Sequence, residues 1–101
     1  MKYVLSPQAI DDIFEIATHL DQENIDASIR VSKTLVNACE AIAAYPSLGK
    51  TRKVNASKTV RIRLANPRWP YLIVYDPDVS PLRILRILHG ARNLDRILKT
   101  L

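Results

Sequence analysis

The sequence has little of what most site chemistries require. It holds one cysteine, Cys39, in 101 residues, which excludes an internal disulfide and suits a reducing, cytoplasmic setting. Its two glycines, Gly49 and Gly90, are too sparse for a phosphate-cradling loop, and neither a GxGxxG nor a Walker pattern occurs. His19 and His89 stand apart from each other and from the cysteine; nothing has metal-ligand spacing, and neither a metal nor a cofactor is expected. No window approaches the ~20 apolar residues of a membrane span. The opening MKYVLSPQ has one lysine and no apolar core, so no signal peptide is expected. What remains is an ordinary globular composition, 48% hydrophobic and 25% charged, of a length that suits one domain over residues 1–101.

Charge is distributed unevenly. Residues 1–49 carry three Lys/Arg against seven Asp/Glu, a net of −4, whereas residues 50–101 carry twelve against three, a net of +9. A basic half of this size points to a polyanionic or acidic partner, or else to a solvated basic face.

Hydrophobic periodicity orders the chain. Lys2–Leu5 reads as a short strand. Ser6-Pro7 reads as a helix start, with Ser6 as N-cap and Pro7 in the first helical position. Ile10, Ile13, Phe14, Ala17 and Leu20 follow at helical spacing, which predicts an inner face, with Asp11, Asp12 and Glu15 on a solvated one. A second helix is expected from an Asp26 cap to Ala44, with Ile29, Leu35, Val36, Cys39, Ile42 and Ala43 facing inward. That spacing makes Cys39 a buried, inert thiol. Tyr45-Pro46-Ser47-Leu48-Gly49 ends the helix, with Gly49 expected to take a positive-φ turn. Lys50–Lys58 reads as a basic loop.

Three strands then follow: Thr59–Asn66, Tyr71–Asp76 and Leu82–His89. Val60, Ile62 and Leu64 alternate with Arg61 and Arg63, which predicts that both arginines share one face. Leu94, Ile97, Leu98 and Leu101 give a short terminal helix, with Asn93 as a possible cap. The expected class is α+β: an antiparallel meander with an N-terminal strand, a helical hairpin packed on one face, and a short C-terminal helix. Ile13, Phe14, Leu35, Ile42, Ile73 and Ile84 are the expected core.

Arg61, Arg63 and Arg83 beside His89 are the candidate chemistry. Such a set can grip phosphates, stabilise a developing phosphorane and supply one titratable proton carrier. It can equally dock a partner's carboxylates. The residues favour neither use. Trp69 in the loop before the central strand and Arg92 after the last one are further candidates for partner contact.

LSPQAIDDIFEIATHL, YPSLGKTR, YLIVY and ILRILHGARN together resemble the ParE/RelE superfamily of bacterial type II toxin–antitoxin toxins, over nearly the whole chain. The resemblance implies a RelE/ParE-like fold and one of two activities. RelE-like members cleave messenger RNA on the ribosome; ParE-like members poison DNA gyrase and are not known as nucleases. RelE-like nucleases read YRLVY in the central strand, and here Leu72 stands where that arginine would be. They also tend to carry a Tyr or His past the last strand, whereas this chain ends NLDRILKTL. The HGAR segment is the ParE-like pattern, with Asn93 in place of the usual aspartate. The resemblance thus implies a cytoplasmic, non-enzymatic gyrase poison, silenced by a cognate antitoxin in a hetero-oligomer, with Arg61, Arg63, Trp69, Arg83, His89 and Arg92 as contact residues. The alternative is a ribosome-dependent endonuclease using Arg61, Arg63, Arg83 and His89.

Overall fold

Ser6 joins the first helix to the sheet. Its Oγ accepts from the Ala9 N–H at 3.0 Å, capping the helix, and donates to the Leu85 carbonyl at 2.8 Å. Its own N–H donates to the Ile84 carbonyl at 2.9 Å. In the computed structural model, which describes residues 3–66, 71–90 and 94–101, the elements run β1 (Tyr3–Leu5), α1 (Pro7–Asp21), α2 (Ile25–Ala44), β2 (Lys50–Asn55), β3 (Lys58–Leu64), β4 (Tyr71–Asp76), β5 (Leu82–His89) and α3 (Leu94–Leu98). Asn24, rather than Asp26, caps α2: its Oδ1 accepts from the Ala27 N–H at 3.1 Å. The strand expected over Lys2–Leu5 is β1; its first expected residue, Lys2, and the expected Asn93 cap lie outside the described residues.

The sheet has five strands in the order β1-β5-β4-β3-β2, with β1 parallel to β5 and the other pairs antiparallel. The segment expected as a basic loop, Lys50–Lys58, is instead β2 and its turn into β3. Asn55 Oδ1 closes that turn by accepting from the Ser57 N–H at 2.9 Å and the Ser57 hydroxyl at 3.0 Å, an Asx turn that needs no glycine. β2 escapes a periodicity search because its Lys-Thr-Arg-Lys start is polar on both faces.

The α1–α2 hairpin covers one sheet face, over a core that includes Val31, Leu35, Ile42, Ile73, Tyr75 and Ile84. α3 lies against the opposite face, where Leu98 packs with Val60, Val74 and Leu88. Of the expected core, Leu35, Ile42, Ile73 and Ile84 are buried and Ile13 is half-buried against them. Phe14 is not buried: it is 71% exposed. α1 is turned so that Ala9, Asp12, Ile13, Ile16 and Leu20 face the sheet and α2, leaving Ile10 and Phe14 outside.

Asp12 explains that rotation. Expected on a solvated surface, it is 8% exposed. Its carboxylate accepts Arg86 Nε at 2.8 Å, Arg86 Nη2 at 2.9 Å and the Ile87 backbone N–H at 2.9 Å. A register shift in the β4–β5 ladder, between Val74 and Tyr75, pairs Val74 with Arg86 but Tyr75 with Ile84. Such a bulge breaks strict alternation and re-aims a side chain. Here it lets Arg86 and its neighbour Ile87 both face the helix side, and leaves the Ile87 N–H to Asp12. The hydrogen bond that Arg86 donates to Asp12 raises the Arg86 pKa above its ordinary value, outweighing the opposing effect of burial.

Cys39 is buried, as expected, at 2% exposure. Burial, with a smaller contribution from Glu40, pushes its thiol from 9.0 up to about 12. Because the thiolate is the nucleophile, the native protein should react with a thiol-specific disulfide reagent at pH 8 far more slowly than the unfolded chain. Equal rates with and without denaturant would contradict the burial. A folded pKa above the unfolded one also means that this group costs stability as pH rises from about 9 through about 12.

Candidate functional site

The candidate cations do not form one row. Arg61 pairs with Tyr75 and Arg63 with Ile73, so both project toward the helix side of the sheet, as their alternation predicts. Arg83 pairs with Asp76, one residue out of phase with Tyr75, and so projects from the opposite face. There it borders an open pocket with Lys58, Asp76 and Leu85. His89 pairs with Tyr71 and returns to the helix side, its ring 5.0 Å from the Tyr71 ring at 36°. Three arginines and a histidine acting on one phosphate is therefore not the arrangement found. Trp69 and Arg92 lie outside the described residues.

Each retained candidate has a distinct setting. Arg61 is half-buried and donates to the Ser47 carbonyl at 3.2 Å and to the Gly49 carbonyl. It thereby ties β3 to the loop after α2, a holding role that its place on a polar strand face does not reveal. Beside it, Tyr75 Oη donates to the Pro46 carbonyl at 2.7 Å and accepts the Gly49 N–H at 2.8 Å. This contact accounts for Gly49. A Cβ there would lie 2.7 Å from Tyr75 Oη and 3.0 Å from the Ile62 carbonyl, so the position demands close approach rather than the expected positive φ. Gly90 is the glycine in the left-handed region, with φ +77°, directly after His89.

His89 lies at the rim of an open pocket of about 420 Å³, lined also by Glu15, Ile16, His19, Leu20, Glu23 and Tyr71. Burial raises the Tyr71 hydroxyl pKa. Among the described residues, no cluster of His, Cys, Asp and Glu is arranged to hold a metal ion.

Leu72 occupies the place of the nuclease arginine, and its surroundings are apolar. It pairs with Leu64 and Leu88 and packs into the cluster beneath α3, with Leu94 and Ile97 near it. On that side the central strand offers a seat for α3 and no cation.

Two features escaped the sequence reading. One is β2, which adds Lys50, Arg52 and Lys53 to the cations of β3; the stretch from Glu40 to Asp76 has no acid between its ends, and that gap was the available signal. The other is the set of apolar side chains left outside the hairpin: Ile10 at 45% and Phe14 at 71% exposure on α1, with Ile29 at 49% and Val36 at 47% on α2.

The same arrangement recurs in known proteins. A chain of a solved structure described as the chromosomal ParDE TA system from P. aeruginosa superposes with a TM-score of 0.70 at 20% identity, covering 89% of this chain and 96% of that one. At that identity the likeness establishes the fold. A protein of Sinorhizobium fredii (strain NBRC 101917 / NGR234) named "Putative toxin Y4kP" is 24% identical over 91 residues, 90% of each chain. The family model for the ParE toxin of the type II toxin–antitoxin system parDE matches residues 3–94. With nearly its full length so matched, the chain belongs to the ParE family of type II toxin–antitoxin toxins.

Proposed function

We propose that this toxin poisons DNA gyrase without catalysing a reaction of its own, and that a cognate antitoxin keeps it silent in a cytoplasmic hetero-oligomer. Leu72 carries this reading. A leucine packed under α3 cannot clamp a phosphate or offset its charge, and loss of such a donor costs roughly 10²–10³ in rate. The division of Arg83 from Arg61 and Arg63 across the sheet weighs the same way.

The antitoxin reading rests on the hairpin. Ile10, Phe14, Ile29 and Val36 are exposed on the two helices, at one-turn and two-turn spacings. They offer apolar anchors for an amphipathic segment laid across them. The toxin's net charge of +5 favours an acidic partner by steering its approach. The exposed charges of Arg63, Arg83 and the β2 strand then act on association rate and salt dependence, with Trp69, His89 and Arg92 as further proposed contacts.

The rival reading, a ribosome-dependent messenger RNA endonuclease, retains one geometric point: Arg61, Arg63 and His89 share the helix-side face, with β4 between their strands. Purified components separate the two. The toxin should inhibit gyrase supercoiling and accumulate cleaved DNA, while translation on programmed ribosomes proceeds and the message stays intact. Codon-specific cleavage that disappears in His89→Ala would overturn the gyrase reading.

A further inference from the structure

We propose that the β2–β3 ribbon is a binding surface for the phosphate backbone of duplex DNA, a site that belongs to the toxin itself and does not require gyrase. Residues 50–63 hold Lys50, Arg52, Lys53, Lys58, Arg61 and Arg63 and not one acid. Cross-strand register places Thr51 opposite Arg61 and Lys53 opposite Thr59 on the helix-side face, joined there by Arg63. Lys50 and Arg52 project from the other face. Among the described residues, Arg52 alone of these six makes an ion pair, with Asp95 of α3.

The helix-side face of the ribbon is open. The α1–α2 hairpin packs chiefly over β5 and β1 and leaves β2 and β3 to each other and to β4. Thr51, Lys53, Thr59 and Arg63 are accordingly exposed, with Arg61 half-buried beside them.

Composition distinguishes the ligand class. A protein interface needs a core depleted in charge and rich in apolar and aromatic anchors. This face offers threonine, lysine and arginine, while the exposed apolar side chains lie elsewhere: on α1 and α2, at Tyr45 and Leu48 in the loop before β2, at Val4 and Val79, and at Leu64 of β3, which points to the opposite face of the sheet. Arginine, lysine and threonine hydroxyls are instead the groups that hold phosphate oxygens. Protection of a free sheet edge by lysine explains cations on β2. It does not explain Arg61 and Arg63, which stand one strand further in. Positive charge on both faces suits a ribbon lying in a groove walled by phosphates, and the major groove admits a two-stranded ribbon.

Fluorescence anisotropy with a short mixed-sequence DNA duplex and the toxin alone tests this over a salt series. Binding should be sequence-independent, with a Kd of about 10⁻⁴–10⁻⁶ M at physiological salt, and should weaken linearly with log salt. The double variant Lys53→Gln/Arg63→Gln should bind more weakly and lose roughly 2 from the salt slope, about one per phosphate contact. Arg61 is spared because its hydrogen bonds hold the loop after α2. Arg30→Gln/Lys33→Gln on α2 should leave the slope unchanged, and circular dichroism melts confirm that both doubles are folded. No salt-dependent binding at low ionic strength overturns the proposal, as does a slope that ignores Lys53 and Arg63. Capture of a poly-glutamate peptide but not of DNA would reassign the surface to an acidic protein. Because gyrase is absent from the assay, failure here leaves the gyrase reading standing, and failure of the gyrase assay leaves this one standing.

Discussion

Asp12→Ala should lower the stability of the toxin by about 3–5 kcal/mol, the cost of breaking a buried ion pair from one side. The substitution strands the Arg86 guanidinium, whose side chain is 22% exposed, and removes the acceptor of the Ile87 N–H. In a domain of this size each kcal/mol moves Tm by roughly 4–8 °C, so the melt should fall by on the order of 15–30 °C. Total stabilities of about 5–15 kcal/mol mean that much of the protein would be close to unfolding at 37 °C. Arg86→Met in the same background separates the contributions. Replacing both charges with apolar groups should recover most of the loss, since a paired and an apolar interior are often equivalent. A residue of about 1–3 kcal/mol should persist, because the Ile87 N–H still has no acceptor. A Tm for Asp12→Ala within a few degrees of wild type would show that Asp12 is a surface acid after all.

The error about Asp12 shows where sequence periodicity stops being informative. α1 carries two competing stripes: Ile10 with Phe14 and Ala17, and Ile13 with Ile16 and Leu20. Hydrophobicity alone prefers the stripe with the phenylalanine. The fold buries the other, because Arg86 faces the helix and the bulge in β5 frees the Ile87 N–H beside it, and together they reward the rotation that brings Asp12 to them. A bulge adds a residue without changing composition, so nothing in β5 announces it. β4 and β5, by contrast, were legible to their ends: Tyr71–Asp76 and Leu82–His89 appear with the expected bounds, since β4 is nearly continuous in apolar side chains and prolines limit the run between them. β3 runs Lys58–Leu64 where Thr59–Asn66 was expected.

Site placement was legible only where alternation holds. Arg61 and Arg63 lie two apart on an unbulged stretch of β3, and their common face follows from that spacing. Arg83 could not be placed relative to them, because its face depends on how β5 registers against β4, a pairing between distant segments. Arg61 presents a further limit. Its bonds to the Ser47 and Gly49 carbonyls depend on the loop after α2 returning to β3, and a change to Gln there would affect folding as well as charge.

Phe14→Ala should weaken antitoxin binding by about 2 kcal/mol, roughly 30-fold in Kd, while leaving the free toxin as stable as before. The two halves of this expectation have one cause. A side chain 71% exposed contributes little to the core, and surface changes usually move stability within ~0.5 kcal/mol. Alanine is also the better helix former, which offsets part of any lost packing. In the complex the same ring would be covered, and buried aromatic anchors are where interface energy concentrates. Ile10 lies one turn from it on α1, so Ile10→Ala/Phe14→Ala should weaken binding further and less than additively, since neighbours that share a partner surface couple. Isothermal titration of the purified toxin variants with antitoxin, beside thermal melts of the toxins alone, reads both quantities. An unchanged Kd for the double variant would take the antitoxin off the helical hairpin and place it at the sheet, and a large drop in the melting temperature of free Phe14→Ala would return Phe14 to the core where its sequence pattern first placed it.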